Sequence, residues 1–308
     1  MKIIFMGTPE FAVPSLAALI QAGHEVTAVF TRKDKPVGRK QILTAPPVKV
    51  LAVEKGIPVF QPDTLRGTEM EETISHMEPD VIVVAAYGKI LPKNILDLPR
   101  LGCVNVHASL LPKYRGAAPI QQAILDGEAV TGVTTMMMAE GLDTGDILLS
   151  EQTEIDPDET SAELTVRLSK IGARLIVKTL AALEAGTVTP VAQNDAESSY
   201  ASMLTKKRSP IDWNRTALQI HNQVRGLFPW PGASTVFEGK KLKIHRTRLA
   251  GTEIGIPGQI LSGKEFKVVC GGGTALELLE VQPEGGKKMK GSDFLRGHPA
   301  QGVVLGEK

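Results

Sequence analysis

Short apolar runs alternate with longer stretches of helical periodicity through the first 185 residues. The run Val81–Ala85 is almost continuous in β-branched residues, which is typical of a central strand buried on both faces. Helical patterns of about ten residues separate several of the runs, and that alternation indicates βαβ units. We therefore predict an α/β fold with a doubly wound, mostly parallel, Rossmann-like sheet. Its other strands are predicted at Lys2–Met6, Val26–Phe30, Ile57–Phe60, Gly102–Val106 and Thr131–Met138.

The clearest helix is predicted over 160–185. Thr160 and Glu163 have the spacing of a capping box, in which each side chain binds the other residue's backbone amide. Apolar residues then recur every three or four positions as far as Gly186, a suitable helix end. The following residues, 187–205, are polar and without period. We predict a first domain over 1–186 and a linker over 187–205.

The pattern changes beyond the linker. A helix is predicted over 214–227, and short strands separated by glycine turns follow it. Close spacing of short strands favours a small β-barrel over a second α/β sheet. The second domain is therefore predicted over 206–308, with strands at Ala233–Phe237, Leu242–Leu249, Phe266–Val269 and Leu276–Val281.

Charge is distributed unevenly along the chain. Residues 1–199 hold 18 Lys and Arg against 25 Asp and Glu, whereas residues 200–308 hold 17 against 9. An excess of eight positive charges in the second part indicates a polyanionic partner there. The hydrophobic fraction of 42% is ordinary for globular proteins, and the two cysteines exclude a disulfide scaffold. The longest apolar run is too short for a membrane span, so we expect a cytoplasmic, non-membrane protein.

Several common enzyme classes lack their motifs. Gly7 follows a predicted strand, but the G-x-G-x-x-G pattern of dinucleotide sites and the phosphate-binding G-x-x-x-x-G-K-[ST] pattern are both missing. Five of the six histidines have no partner at metal-ligand spacing, so no metal is expected. Ser109 lacks a nucleophile elbow, and Cys103 has no activating neighbour.

One strand end carries candidate chemistry. Asn105 and His107 are two residues apart, so they point to the same face of their strand, at the edge where open α/β sheets bind ligands. Two polar residues that merely cap a core strand would give the same pattern. Asp143 follows the next strand in a glycine-containing loop, and its carboxylate would orient the imidazole and keep it protonated near neutrality. Such a set stabilises an oxyanion and handles protons, which favours direct attack by an amine.

Three segments together resemble the folate-dependent formyltransferase family. They are the Asn105-x-His107 strand end, the SLLPKYRG turn and the GLDTGDIL loop. The likeness extends over both domains through FMGTPEFAVPSL, PPVKVLAVEKGIPVFQP, AAYGKILPK, RGAAPIQQAI, SPIDW and FPWPG. GTPEFA, RGAAPIQ and the IDW and FPWPG segments are typical of members that formylate a charged transfer RNA. The resemblance implies that the second domain is OB-like and binds tRNA.

The resemblance also implies the substrates and the role of each site residue. The donor would be 10-formyltetrahydrofolate, and the acceptor would be the α-amine of methionyl initiator tRNA, with the enzyme acting as a monomer in translation initiation. Asn105 and protonated His107 would stabilise the oxyanion, while Asp143 would pair with the imidazole and help to remove the amine proton. The folate would bind at residues of two segments, namely Ser109, Leu110, Leu111 and Pro112, and Tyr87, Gly88, Ile90 and Leu91.

Two basic surfaces are candidates for tRNA contact. The loop over 31–47 contains Arg39 and Lys40, and Arg39 matches the basic position that the family inserts into the acceptor stem. The second surface begins with Lys206, Lys207 and Arg208. Further basic residues follow in the strand Leu242–Leu249, but strict alternation would divide them between its two faces. Contacts of this kind supply affinity and salt dependence rather than base readout.

Three alternatives remain open. A formyltransferase acting on a nucleotide sugar or small amine would share the catalytic residues but need neither the basic loop nor the basic domain. A formyltetrahydrofolate hydrolase, which releases formate to water, would use the same three side chains. An RNA-binding protein with a relic α/β domain would not need Asn105, His107 and Asp143 together.

Overall fold

The structure is a computed structural model that describes residues 1–38, 40–298 and 300–306. Its strands are β1 (Lys2–Gly7), β2 (Glu25–Phe30), β3 (Lys35–Val37), β4 (Ile42–Thr44), β5 (Val59–Phe60), β6 (Val81–Ala85), β7 (Cys103–His107), β8 (Arg115–Gly116), β9 (Val130–Met137), β10 (Ile147–Glu154), β11 (Tyr200–Ala201), β12 (Ala233–Phe237), β13 (Lys240–Thr252), β14 (Lys267–Cys270), β15 (Thr274–Pro283) and β16 (Met289–Lys290). Its helices are α1 (Val13–Gln21), α2 (Pro47–Glu54), α3 (Thr68–Ser75), α4 (Lys93–Leu96), α5 (Pro119–Leu125), α6 (Ser161–Glu184), α7 (Ala217–Gly226) and α8 (Gly291–Gly297). Within the described ranges, no helix combines the length and the apolar character that a membrane crossing requires.

The chain forms two compact units that alternate along the sequence. The first contains Met1–Gly116, Thr131–Thr153 and Thr165–Tyr200, and the second contains Ala117–Val130, Glu154–Leu164 and Ala201–Lys308. The linear division of the sequence into 1–186, 187–205 and 206–308 stays a prediction, since the units are built from interleaved segments. Part of the predicted linker packs within the first unit, where Val191 forms a backbone bridge with Ile147.

The first unit is built on a seven-stranded sheet in the order β10-β9-β7-β6-β1-β2-β5. The five strands from β7 to β5 are parallel to one another, and β9 is antiparallel to β7. All five residues of β6 are buried, as its continuous apolar run predicts. The mostly parallel α/β sheet is therefore confirmed, and β7 reaches the carboxyl edge of the sheet at His107.

The second unit contains an antiparallel sheet in the order β12-β13-β15-β14, with β16 paired to β15. Its core includes Trp213, Phe266 and Phe294, each at most 4% exposed. A separate β-rich second domain is thus confirmed.

A bulge in β13 corrects one expectation about its basic residues. The pairing of β13 with β15 shifts register between Ile244 and Arg246. The extra residue reverses the alternation, because a bulge places two residues opposite one. Strict alternation would divide four basic residues of β13 between its two faces, but with the bulge all four are exposed, namely Lys241, Lys243, Arg246 and Arg248.

The buried side chain of His221 predicts that the second unit loses stability in acid. Its Nε2 donates to the carbonyl oxygen of Pro157 at 3.0 Å, and its Nδ1 lies 2.9 Å from the hydroxyl of Thr247. Burial lowers the pKa of His221 from the ordinary value of 6.5, and the Arg225 guanidinium lowers it further, while the Pro157 carbonyl and Asp158 oppose the shift. The imidazole of His221 therefore binds a proton more readily in the unfolded chain than in the folded one. The contribution of His221 to stability is fully present above pH 6.5 and is lost as the pH falls through the lowered pKa of the folded state.

We expect the free energy of unfolding to fall below pH 6.5, with His221 contributing a slope of at most about 1.4 kcal/mol per pH unit. Urea unfolding of wild type and His221→Gln between pH 5 and pH 8 measures that slope, which the variant should reduce. His76→Gln, at an exposed site, is the control. Parallel profiles for wild type and His221→Gln would assign the acid sensitivity to other groups.

Candidate active site

Strand β7 places Asn105 and His107 at the edge of the sheet. The strand lies between β6 and β9, and its residues Asn105 and His107 are opposite Met136 and Thr134 of β9. Because the two side chains are two residues apart on one strand, they share a face. His107 is only 5% exposed, whereas Asn105 is half-buried. The amide is therefore the more accessible of the two groups.

Asp143 lies in the loop that connects β9 to β10. The backbone N–H of Met137 donates to the carbonyl of Asp146 at 2.8 Å and closes that loop. Asp143 itself has φ of 51°, in the left-handed region, which Asp adopts more readily than most residues. Its side chain is 14% exposed. The loop thus brings a nearly buried carboxylate back over the end of β7.

The Asp143 carboxylate contacts both predicted partners. One oxygen, Oδ1, lies 3.4 Å from the amide nitrogen of Asn105. The other, Oδ2, lies 3.7 Å from Nδ1 of His107 and accepts a hydrogen bond of 2.8 Å from the backbone N–H of Gly116. The distance to His107 fits an ion pair and is too long for a direct hydrogen bond. The structure therefore brings Asn105, His107 and Asp143 together, as the sequence predicts.

A hydrogen bond from the second ring nitrogen of His107, Nε2, fixes the orientation of the imidazole. Nε2 lies 2.9 Å from the carbonyl oxygen of Tyr114. A carbonyl only accepts, so Nε2 carries a proton and donates it there. Nδ1, on the side of Asp143, is then the nitrogen that can take up or give a proton. Tyr114 has φ of 61°, a strained backbone position that turns its carbonyl toward the ring.

Two further side chains support the site loop. Gln193 donates from Nε2 to the carbonyl oxygens of Asp143 and Gly145, at 2.9 and 2.7 Å. Its own oxygen accepts two hydrogen bonds from Arg115, at 3.0 and 2.9 Å. Sequence reasoning missed Gln193 because it lies in the predicted linker and 50 residues from Asp143, and no local pattern marks it. Arg115 belongs to the SLLPKYRG turn but was not singled out.

The first predicted folate segment forms a tightly bonded turn. The hydroxyl of Ser109 is buried and donates to the carbonyl of Lys113 at 2.7 Å, while the carbonyl of Ser109 accepts from Thr134 at 2.7 Å. The N–H of Leu111 lies 3.2 Å from the same Thr134 hydroxyl. Leu110 and Pro112 are half-buried and remain the members of this segment whose side chains can contact a ligand.

The second predicted folate segment divides between core and surface. Tyr87 and Leu91 are 1% and 3% exposed and belong to the apolar core cluster beneath the sheet. Ile90 is 75% exposed, and the guanidinium of Arg32 lies against Gly88 and donates to its carbonyl. The aromatic ring of Tyr87 is therefore a core group. In this segment, the groups that could contact folate are the backbone, Gly88 and the side chain of Ile90.

The residues predicted to contact tRNA differ in their exposure and in their hydrogen bonds. Arg39 lies outside the described residues, and Lys40 is exposed. Lys206 and Lys207 are exposed in a short 3-10 helix, Lys206–Arg208. The guanidinium of Arg208 is partly engaged, because it donates to Gln122 within the second unit at 2.8 Å.

Among the described residues, neither cysteine is a reactive thiol and no cluster of metal-ligating side chains is present. Burial raises the pKa of the Cys103 thiol to about 12, so it supplies no thiolate nucleophile at neutral pH. In the part of the chain that the structure describes, no three His, Cys, Asp or Glu side chains converge as metal ligands. An amide, an imidazole and a carboxylate are the groups present, and together they suit acyl transfer to an incoming amine.

Solved structures share this fold. An N-formyltransferase from Helicobacter canadensis, solved with folinic acid and dTDP-3-aminofucose, aligns with a TM-score of 0.69 at 22% identity, over 90% of this chain and 98% of that one. HypX from Aquifex aeolicus, solved with tetrahydrofolic acid, aligns with a TM-score of 0.65 at 17% identity, over 96% of this chain and 47% of that one.

Sequence comparisons define the family. The model described as formyl transferase matches residues 1–180, and the model of the formyl transferase C-terminal domain matches residues 203–299. A methionyl-tRNA formyltransferase from Geotalea daltonii is 51% identical over all of this chain and 99% of its own length. Another, from Lachnospira eligens, is 51% identical over the full length of both chains. The chain belongs to the formyltransferase family, and within it to the methionyl-tRNA formyltransferases.

Proposed function

We propose that the protein transfers the formyl group of 10-formyltetrahydrofolate to the α-amine of methionyl initiator tRNA. The observation that carries this proposal is the convergence of Asn105, His107 and Asp143 at the carboxyl end of β7. The acceptor follows from full-length relatives at about half identity that are named for it. The product, formylmethionyl-tRNA, serves translation initiation. We further propose that the enzyme acts as a cytoplasmic monomer, in keeping with its two free, buried cysteines and its polyanionic substrate.

Each of the three side chains has a role in this reaction. The amine attacks the formyl carbon, and negative charge develops on the formyl oxygen. The amide of Asn105 and the protonated Nδ1 of His107 donate to that oxygen, which lowers the barrier because the donors are already in place. The N–H of Gly116 fixes one oxygen of Asp143, leaving the carboxylate to balance the imidazolium and to receive the amine proton. The formyl carbon–N10 bond then breaks, and N10 leaves with the proton that Asp143 received from the amine, which returns the carboxylate to its ionised state.

The basic surfaces account for the choice of a polynucleotide acceptor. The hairpin β3–β4 of the first unit carries Lys35 and Lys40, and β13 of the second unit exposes four basic side chains on one face. Lysines and arginines of this kind bind phosphates and make affinity fall steeply with salt. A formyltransferase for a small amine needs neither surface.

The decisive experiment follows labelled formyl from 10-formyltetrahydrofolate. With wild-type protein and methionyl initiator tRNA, we expect the label in the tRNA fraction and a rate that falls as potassium chloride is raised. A nucleotide 3-amino sugar and water are the competing acceptors. Label found in formate or in the sugar, with the tRNA unmodified, would refute the acceptor while leaving the catalytic residues in place.

A further inference from the structure

A closed ring of polar contacts lies at the base of the hairpin β3–β4. The Lys49 ammonium is 2.8 and 2.9 Å from the two oxygens of Asp34, and 2.9 Å from the amide oxygen of Gln61. The amide nitrogen of Gln61 donates to Oδ1 of Asp34 at 2.9 Å and to the carbonyl of Arg32 at 2.7 Å. We call Asp34, Lys49 and Gln61 the loop clamp.

The loop clamp joins three separate stretches of chain. Asp34 immediately precedes β3, Lys49 lies in the first turns of α2, which follows the hairpin, and Gln61 comes directly after β5 of the sheet. The clamp therefore connects both ends of the hairpin to the β5 edge of the sheet in the first unit. Asp34 and Lys49 are each 26% exposed, so their contact is better shielded from solvent than an ordinary surface ion pair.

The described apolar side chains of the hairpin do little to hold it in place. Val37, Ile42 and Leu43 are 56%, 62% and 67% exposed, so they do not anchor it by burial. It stands over a groove of about 720 Å³ whose lining includes Lys33, Lys35 and Val50. Because these three side chains are exposed, the contacts at the base of the hairpin matter for the direction in which it projects.

The clamp residues are not arranged to bind phosphate themselves. Lys49 has three N–H donors, and the three acceptors around it account for all of them. Hydrogen bonds from Lys49 and Gln61 hold the pKa of Asp34 below its ordinary value, so the carboxylate stays ionised beside the ammonium. A neutralised pair at this position adds rigidity and almost no net charge.

We propose that Asp34, Lys49 and Gln61 are positioning residues that hold the basic hairpin in its tRNA-binding orientation without contacting the tRNA. The proposal rests on the proposed function, because it assigns the hairpin to tRNA. It also explains why the base of a cationic loop contains an acidic residue. Asp34 binds Lys49 and Gln61 of this protein and does not contact the substrate.

Two single substitutions separate positioning from direct contact. Lys49→Met and Asp34→Asn should each raise the KM for methionyl-tRNA about tenfold, as expected for loss of one coupled pair, while kcat and the KM for 10-formyltetrahydrofolate stay as in wild type. The double variant should be no worse than either single variant, since one contact is lost in all three. Lys55→Met, which removes the same charge from an exposed pair at the end of α2, is the control.

The alternatives give different results. If Lys49 binds a phosphate directly, Asp34→Asn removes a repelling charge and tightens tRNA binding, which would overturn the proposal. If the clamp only stabilises the fold, both variants lower the melting temperature and kcat together with no change in KM, and the proposal also falls. Direct measurement of the tRNA dissociation constant of each variant tests the effect of the loop clamp on binding separately from its effect on catalysis. A wild-type enzyme that bound tRNA but did not formylate it would refute the proposed function alone.

Discussion

Replacing Asn105 or His107 by alanine should lower kcat for formyl transfer by about 100- to 1,000-fold each, the cost measured for one oxyanion donor in other acyl-transfer enzymes. Both groups are proposed to act on charge that exists only in the transition state, so the KM for 10-formyltetrahydrofolate should change little. Single-turnover transfer to methionyl-tRNA under saturating substrates measures the effect. His76→Ala, at an exposed histidine, is the control and should retain full activity.

The double variant adds a second test. Because Asp143 contacts both side chains, the two donors form one arrangement, and removing both should cost less than the product of the single effects. Thermal unfolding must accompany the kinetics, since His107 is buried and its loss removes the bond to Tyr114. Near-normal kcat in a folded Asn105→Ala enzyme would mean that the amide faces no developing charge.

Elements with a strong local signal could be predicted from the sequence. The predicted runs Val81–Ala85 and Ala233–Phe237 match β6 and β12 at both ends; the first follows Pro79 and Asp80, and the second lies between Gly232 and Glu238. The capping box is present as well, with Thr160 accepting the N–H of Glu163 at 3.3 Å and Glu163 accepting that of Thr160 at 2.8 Å. Such signals depend on residues three or four apart, which the sequence contains directly.

Elements that rely on a neighbour for their stability were missed. Helix α3 buries only Ile74, so its sequence has almost no apolar period. Strand β10 lies at the edge of the sheet and has one buried residue, Leu148, while its other residues are half-buried or exposed. Helices α5 and α8 are seven residues each, too short for periodicity to distinguish them from loops. Tertiary packing decides these segments.

The candidate site also contains residues that the sequence predicts and groups that only the fold reveals. Asn105 and His107 could be predicted because their spacing fixes a common face, and Asp143 because its loop follows the next strand. The groups that orient these three side chains could not be predicted. They are the carbonyl of Tyr114, the N–H of Gly116 and the distant side chain of Gln193. A backbone group has no sequence signature, and a contact across 50 residues requires the fold. Tyr87 lies between two residues with positive φ, Ala86 and Gly88, and of these only the glycine suggests such a backbone conformation from the sequence.

The loop that carries Asp143 depends on a glycine, and this gives the second large expected effect. A Cβ at position 145 would lie 1.9 Å from the carbonyl oxygen of Met137, a backbone atom that cannot rotate away. The same stretch is held from the other side by Gln193, which binds the carbonyls of Asp143 and Gly145. The loop must therefore shift as a whole to accept any side chain, and the carboxylate shifts with it.

We expect Gly145→Ala to lower kcat by about 100-fold, the loss that a displacement near 1 Å causes in a positioned catalytic group. Gly145 is itself buried, so overpacking at this position should also destabilise the first unit by about 1–3 kcal/mol. Gly297→Ala is the matched control, because a Cβ there meets open space. Rates at saturating substrate together with urea unfolding separate the two effects: the loss of kcat should persist at temperatures where the variant is fully folded. A folded Gly145→Ala enzyme with wild-type kcat would show that the chemistry tolerates a displaced Asp143, and that Asn105 and His107 suffice for the reaction.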